Sequence, residues 1–549
     1  MFQTAREYLK EKIKLALNKS GIQLDGIELV FDKPKNEAFG DFATNIAMLI
    51  AKKIGKNPRE IAQQILSNLE IEPQYIEKVE VAGPGFINFK LTSKFYIRQI
   101  REILSQGENY GKINIGSGKK ANVEFVSANP TGPLTVGHGR NAVLGDTIAN
   151  ILEWAGFDVT REYYFNNAGR QMKILADSVR LRYLELLGEK VEYPQEYYQG
   201  DYIKDIAQML FEEYGDSLKD ESDLKIFKEK AEAVIFEDIK KTLNRLGIVF
   251  DVFYNEDWLY EKKIWDVVTE LERLGYVYEK DGAKWFMATK AGGEQDKVLV
   301  KSTGEPTYRL PDIAYHIEKF KRGFDLIVDV FGADHIAEYP DVLRALNILG
   351  YDTTKIKVLI YQFVTLVRDG EVVKMSTRRA NYVTLDELID EVGPDVVRFF
   401  FLNRSRDAHL NFDLTLAKKQ SEENPVYYLQ YAHARIASIL RFAQDSGIEI
   451  DKVREANLEL LREKEEVDLA KLLGEFPEIV EVAYLMLEPL KIINYLNEVA
   501  EAFHRFYHRH RVVGVDKALT LSRLSLCLAT KIVIANGLKI IGISRPERM

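Results

Sequence analysis

One segment restricts the possible folds more than any other. Val123–Val126 is a short run of strand-forming residues, and a loop rich in Gly and Pro follows it. That loop opens into a helix near His138, beside Gly137 and Gly139. A strand that delivers a helix N-terminus through a loop is the unit of a parallel α/β sheet. The free N–H groups and positive potential of that helix end suit an anion such as phosphate. Gly137 and Gly139 permit close approach to the backbone, and His138 can donate to a phosphate oxygen. Asn141–Ala155 continues as an amphipathic helix with Val143, Leu144, Ile148, Ile151 and Leu152 on one face. Gly137-x-Gly139-x-x-Ala142 with Asp158 downstream also matches a dinucleotide fingerprint. That fingerprint must leave its strand directly, whereas here Asn129–Val136, with two prolines, intervene.

The remainder divides around this unit. At 549 residues the chain exceeds a single hydrophobic core. Residues 1–106 read as an α+β module, with helices near Thr44–Ile54 and Pro58–Leu69. Strand-like residues at 79–91 are broken by a Gly83-Pro84-Gly85 turn. Frequent Gly and Asn at 107–118 indicate a linker, and Gly116–Lys120 fails as a phosphate loop because Ile113 and Lys120 occupy required Gly and Ser/Thr positions. Residues 107–415 carry the alternating pattern, with long charged helices inserted at 170–250 and strands expected at Leu326–Phe331 and Val358–Leu366. Residues 416–549 read as all-helical.

Composition narrows the function. Lys and Arg total 75 against 84 Asp and Glu, a net charge of −9, which disfavours indiscriminate nucleic-acid binding but allows local basic patches. One such patch is Phe503–Arg511, where Arg505, Arg509 and Arg511 alternate with Phe506 and Tyr507; cations pair with phosphates while aromatics stack on unpaired bases. The single cysteine, Cys527, excludes an intramolecular disulfide and a cysteine-rich zinc cluster, and fits a reducing compartment. The charged N-terminus lacks a leader's apolar stretch. Lys531, Asn536 and Lys539 interrupt the apolar run at 524–543, so it reads as a buried helix and no membrane partner is expected.

A second candidate site is the basic loop Lys374-Met375-Ser376-Thr377-Arg378-Arg379. It follows a hairpin whose turn is Asp369-Gly370. A cationic loop can close on a leaving pyrophosphate.

Together the two loops resemble the signatures of class I aminoacyl-tRNA synthetases. In the first, His138 and Gly137 match and Thr135 replaces the leading His. In the second, Thr377 replaces the second Lys, and Arg378 and Arg379 can supply its charge. E-F-V-S-A-N-P-T-G at 124–132, T-Y-R-L-P-D-I-A-Y-H at 307–316 and F-G-A-D-H at 331–335 are similar to the arginyl-tRNA synthetases. So are G-D-F-A-T-N at 40–45, Y-L-Q-Y-A-H-A-R-I at 428–436 and the C-terminal I-S-R-P-E-R-M, so the likeness spans essentially the whole chain. The resemblance implies a class I Rossmann-like catalytic domain between an N-terminal tRNA-contacting module and a C-terminal helical anticodon-binding domain. It implies activation of L-arginine by ATP with Mg²⁺, then transfer to its tRNA, by a cytoplasmic monomer without structural zinc. His138, Lys374 and Arg378 would be catalytic; Thr135, Gly137, His138, Gly139, Asp334, Met375 and Ser376 would bind ATP. Asp312 and Tyr308 would hold the guanidinium with Glu124 nearby, Ser127 and Asn129 the other end of the amino acid, and His335 would join this pocket. Arg505, Tyr507, Arg509 and Arg511 would contact tRNA. Two rivals remain: another class I ligase or nucleotidylyl transferase, and an inactive RNA-binding relative, to which Thr135 and Thr377 leave room.

Overall fold

The computed structural model describes residues 4–24, 26–34, 36–333, 336–373 and 383–549. The N-terminal part runs α1 (Ala5–Lys19), β1 (Phe42–Thr44), α2 (Ile46–Ile54), α3 (Pro58–Ser67), β2 (Ile76–Ala82), β3 (Phe86–Leu91) and α4 (Ser93–Gln106). Its strands form an antiparallel sheet in the order β1-β3-β2. The helices start where side chains can cap them. Thr4 and Glu7 make a reciprocal capping box on α1, and Asn57 caps α3 ahead of Pro58. The expected linker at 107–118 is a packed seam. Tyr110 is fully buried, its hydroxyl donates to the Leu473 carbonyl (3.1 Å), and Asn536 Nδ2 donates to the carbonyls of Gly107 and Tyr110 (3.0 and 2.9 Å).

The central part runs β4 (Lys120–Glu124), α5 (Val136–Trp154), β5 (Asp158–Phe165), α6 (Gly169–Leu186), α7 (Asp201–Tyr214), α8 (Lys225–Arg245) and β6 (Val252–Asn255). It continues through α9 (Asp257–Tyr260), α10 (Lys263–Arg273), β7 (Val277–Lys280), β8 (Ala283–Phe286), β9 (Lys297–Val300), α11 (Arg309–Lys321), β10 (Leu326–Gly332), α12 (Tyr339–Ile348) and β11 (Ile356–Tyr361). The main sheet has the order β11-β10-β4-β5-β6, and every neighbouring pair is parallel. From β4 the chain winds outward through β5 and β6, then returns to the other side for β10 and β11. The crevice beyond the carboxyl ends of β4 and β10 is therefore the topological switch point, where open α/β sheets bind ligands. The helix expected to open near His138 begins at Val136, so the Gly137-His138-Gly139 turn is itself helical.

The run expected as one strand at Val358–Leu366 is two. β11 ends at Tyr361, and β12 (Val364–Arg368) belongs to a separate sheet, antiparallel to β13 (Glu371–Val372) and parallel to β14 (Leu410–Asp413). The Asp369-Gly370 turn joins β12 and β13 with both residues at positive φ (52° and 83°), as a tight hairpin requires. The small antiparallel sheet β7-β8-β9 was not foreseen.

The C-terminal part runs α13 (Leu385–Val392), α14 (Pro394–Leu402), α15 (Leu414–Ala417), α16 (Pro425–Asp445), α17 (Lys464–Leu473), α18 (Phe476–Met486), α19 (Leu490–Arg509) and α20 (Lys517–Ile540). By length and composition α20 could cross a membrane, with a mean hydropathy of 1.6 over its most apolar window. It is instead a core helix: Leu524, Leu526, Val533, Ile534 and Leu538 are wholly buried and α16, α19 and α4 pack on it. Cys527 lies in the same core, and burial pushes its thiol up to about 12, which leaves it inert.

Candidate active site

The N-terminus of α5 stands at the switch point. Thr135, in extended conformation, is its N-cap, and the Thr135 N–H donates to His138 Nδ1 at 3.1 Å. A backbone N–H can only donate, so Nδ1 presents its lone pair and Nε2 carries the proton. Burial lowers the His138 pKa. The ring is therefore a neutral donor whose free N–H is Nε2. Thr135 fills the leading position of the first signature by orienting this ring.

The same helix end meets the C-terminal flank of the second signature. Leu385 N–H donates to the Leu134 carbonyl (2.8 Å), and Thr135 forms a bridge with Thr384. A Cβ at Gly139 would stand 2.6 Å from Leu385 Cδ1 and 3.0 Å from Phe401, so only glycine lets α5 approach α13 and α14 this closely. Gly137 is open, with only Thr135 Oγ1 nearby. Val373, at the other flank, donates its N–H to the Leu366 carbonyl (2.9 Å). The loop residues Lys374, Met375, Ser376 and Arg378, like Asp334 and His335, lie outside the described residues.

The carboxyl end of β4 builds the other half of the cleft. Val126 and Ser127 both take positive φ (65° and 45°), a conformation costing of order 1–3 kcal/mol per residue, and most costly for a β-branched side chain. Asn141 of α5 compensates for part of that cost. Its Oδ1 accepts from the Val126 N–H (2.6 Å) and its Nδ2 donates to the Val330 carbonyl on β10 (2.9 Å). The turn aims Ser127 back at the sheet, where Oγ donates to Glu124 Oε1 (3.0 Å) and accepts the Tyr164 N–H (3.2 Å). Asn129 Oδ1 accepts the Asn166 N–H (3.0 Å).

Beneath this turn lies a buried ionic network that the sequence reading missed. Lys319 of α11 is fully buried, with Nζ 2.6 Å from both Glu124 Oε2 and Asp329 Oδ1. Glu124, expected beside a bound guanidinium, thus already has a resident cation. His316 sits between the Asp312 carbonyl (Nδ1, 2.8 Å) and Asp329 Oδ2 (Nε2, 2.9 Å). Both partners are acceptors, so both ring nitrogens donate; burial opposes protonation of the ring, and the Asp329 carboxylate raises its pKa. Glu162 holds Arg322 bidentately (2.5 and 2.7 Å) and accepts from Tyr315 and Asn122. Glu256 accepts from the hydroxyls of Tyr164 (2.7 Å) and Tyr260 (2.6 Å) and from Asn166 Nδ2 (2.6 Å).

Asp312 is the exception. Its carboxylate makes no hydrogen bond or ion pair with the described residues. Burial pushes its pKa up to about 7, Glu124 and Glu256 add to the rise, and His316 opposes it. Lys319, Arg322 and protonated His316 balance Glu124, Asp329 and Glu162. Asp312 and Glu256 have no cationic partner among the described residues. Tyr308, one helical turn before Asp312, is 75% exposed, its ring open to solvent.

The basic patch of α19 lines a separate groove of about 900 Å³ with Tyr428, Tyr431, Arg435 and His504. Tyr507 faces it with the Arg435 guanidinium 5.1 Å from its ring centre. Arg505 pairs with Glu501 and Arg509 with Glu465, both at the surface, while Arg511 Nε donates to the Val513 carbonyl (2.9 Å).

Comparison with known proteins gives concordant results along the chain. Residues 7–91 match the family profile described as the arginyl tRNA synthetase N terminal domain, 99–398 the tRNA synthetases class I (R) catalytic domain, and 429–549 the DALR anticodon binding domain. The arginine–tRNA ligase of Chlorobaculum tepidum is 54% identical, with 99% of this chain and 100% of that protein aligned. The arginine–tRNA ligase of Desulfotalea psychrophila is 54% identical over 94% of each chain. Among solved structures, a putative arginyl-tRNA synthetase from Campylobacter jejuni superimposes with a TM-score of 0.78 at 32% identity, covering 84% of this chain and all of that one. The Thermus thermophilus arginyl-tRNA synthetase shares the fold, with a TM-score of 0.78 at 23% identity over 99% of this chain and 100% of that one.

Proposed function

The chain belongs to the arginyl-tRNA synthetases and is an arginine–tRNA ligase, and from that premise we propose how its residues divide the reaction. The α-carboxylate of arginine attacks the α-phosphorus of ATP and pyrophosphate leaves. A terminal tRNA hydroxyl then attacks the carbonyl carbon of the adenylate and AMP leaves. No protein nucleophile is required, so catalysis is positioning and charge stabilisation.

In this reading Asp312 pairs with the guanidinium, and Tyr308 folds over it from its exposed position. Glu124 serves as a fixed wall whose charge Lys319 already shares. Ser127 and Asn129, set by the strained turn, meet the α-amino and carboxylate end, and His335 completes that pocket. His138 donates its Nε2 proton to a phosphate oxygen beside Thr135, Gly137 and Gly139, while Asp334, Met375 and Ser376 complete the nucleotide site. Lys374 and Arg378 stabilise the leaving pyrophosphate. Mg²⁺ is assigned to the ATP phosphates, where it would offset the charge of the leaving pyrophosphate. We assign tRNA anticodon contacts to Arg505, Tyr507, Arg509 and Arg511 around the α19 groove, divide the domains at 1–106, 107–415 and 416–549, and take the enzyme as a cytoplasmic monomer.

The Asp312 carboxylate, half-buried and unpaired among the described residues, carries this reading, because a carboxylate left without a partner in a cleft is stabilised by a cationic ligand. Asp312→Asn tests it. The arginine KM in tRNA-supported ATP–pyrophosphate exchange is expected to rise by about 100-fold or more, with tRNA affinity unchanged. An unaltered arginine KM would remove Asp312 from the pocket.

A further inference from the structure

Arg140 is fully buried, two residues beyond His138 in the opening turns of α5. Its guanidinium has no ion-pair partner among the described residues. It donates instead to three backbone carbonyls: Nη1 to Gln362 (2.5 Å) and Ala408 (3.2 Å), and Nη2 to Ser405 (3.0 Å) and Ala408 (3.2 Å). Those carbonyls belong to the segments that lead into β12 and β14. The same two segments are tied directly, Gln362 N–H to the Arg406 carbonyl (3.0 Å) and Leu410 N–H to the Phe363 carbonyl (3.2 Å). One side chain on the signature helix therefore staples both strands of the β12–β14 sheet to the helix end.

Burying a guanidinium with only neutral acceptors is costly, and a single leucine there would fill the space more cheaply. Burial lowers the Arg140 pKa to about 10, which leaves it charged at neutral pH. The planar fork explains the choice, since it reaches three carbonyls in fixed directions and a lysine cannot. On the opposite flank Leu134 and Thr135 are tied to Leu385 and Thr384. The α5 end is thus held on two sides, and Arg140 supplies one of them.

We propose that Arg140 is a positioning residue for the activation step, fixing His138 and the α5 N-terminus against the β12–β14 sheet so that the phosphate donors stand in register with the transition state. It touches no substrate. The inference rests on the reading that the ATP phosphates lie at the α5 N-terminus, so His138→Ala serves as the control for that reading.

The experiment is tRNA-supported ATP–pyrophosphate exchange on full-length Arg140→Gln and Arg140→Lys, with equilibrium arginine and tRNA binding measured on the same samples. Both variants are expected to lose kcat, by about 100-fold for Gln and at least about tenfold for Lys, while arginine and tRNA affinities stay within about threefold. Lys restores the charge but not the three-carbonyl geometry, so full recovery in Arg140→Lys would overturn the clamp. Parallel loss of kcat and both affinities would reduce Arg140 to a folding determinant and also overturn it, as would failure of both variants to fold. If His138→Ala loses exchange while the Arg140 variants keep it, only this inference fails. If His138→Ala is itself fully active, the phosphate assignment fails first.

Discussion

Asp312 carries an acid–base consequence for substrate binding. Burial raises its pKa to about 7, whereas pairing with a guanidinium requires the ionised form. Below pH 7 the free enzyme holds a proton that arginine must displace, so binding releases a proton and weakens as pH falls. The arginine KM is therefore expected to rise by about tenfold per pH unit below 7 and to level off above it; Asp312→Asn should flatten that limb. A pH-independent KM between 6 and 8 in the unsubstituted enzyme would contradict the assignment. The folded-state pKa lies above the unfolded value, so the free protein binds more protons than its unfolded chain between those two values. Its stability accordingly declines as pH rises toward 7, and arginine reverses that loss.

The residues around Asp312 were only partly visible in the sequence. Asp312 and Tyr308 lay in a family-like segment. His316 closes the same segment without a role assigned to it, and Lys319 lies beyond it, because burial of a lysine has no local signature. A clue existed: Asp312, Tyr315, His316 and Lys319 follow the i, i+3, i+4, i+7 spacing of one helix face, the face that would be apolar in an ordinary core helix. A polar stripe at that spacing, next to β10 carrying Asp329, marks a buried network. Arg140 was equally silent, since its partners are backbone carbonyls far away in sequence.

At the scale of elements, local chemistry was readable and tertiary partition was not. The Asp369-Gly370 hairpin could be read because its turn needs positive φ, which those two residue types supply. The Val358–Leu366 run is largely apolar and a single Gln362 is compatible with one continuous strand; the break there is a tertiary effect, where the backbone leaves one sheet to bond Arg140 and Arg406. The β7-β8-β9 sheet escaped because its strands are four residues each and rich in Lys and Glu. The positive φ of Val126 is likewise a tertiary effect, sustained by Asn141 from α5. Asn141→Ala is thus expected to destabilise the protein by about 1–3 kcal/mol and to raise the arginine KM through Ser127. A variant of unchanged stability with unchanged arginine kinetics would show that the turn holds itself.

At the scale of the molecule, the proposed phosphate and guanidinium sites share one crevice because the sheet reverses its winding beside β4. The helix that opens at Thr135 offers N–H groups on one side, and Asp312 on α11 and Glu256 just after β6 offer carboxylates on the other. The seam around Tyr110 and Asn536 ties α4 to α20, and the Asn150 side chain on α5 donates to the Ile540 carbonyl at the end of α20 (2.9 Å). The catalytic helix is therefore in direct hydrogen-bonded contact with the helical part that carries the α19 groove. The central claim remains that charge selects the amino acid. The most direct test compares arginine with citrulline, its neutral near-isostere, in ATP–pyrophosphate exchange with tRNA and Mg²⁺ present. A cleft with unpaired carboxylates should sustain exchange with arginine and lower kcat/KM for citrulline by about four orders of magnitude; comparable exchange with the two would contradict recognition by charge.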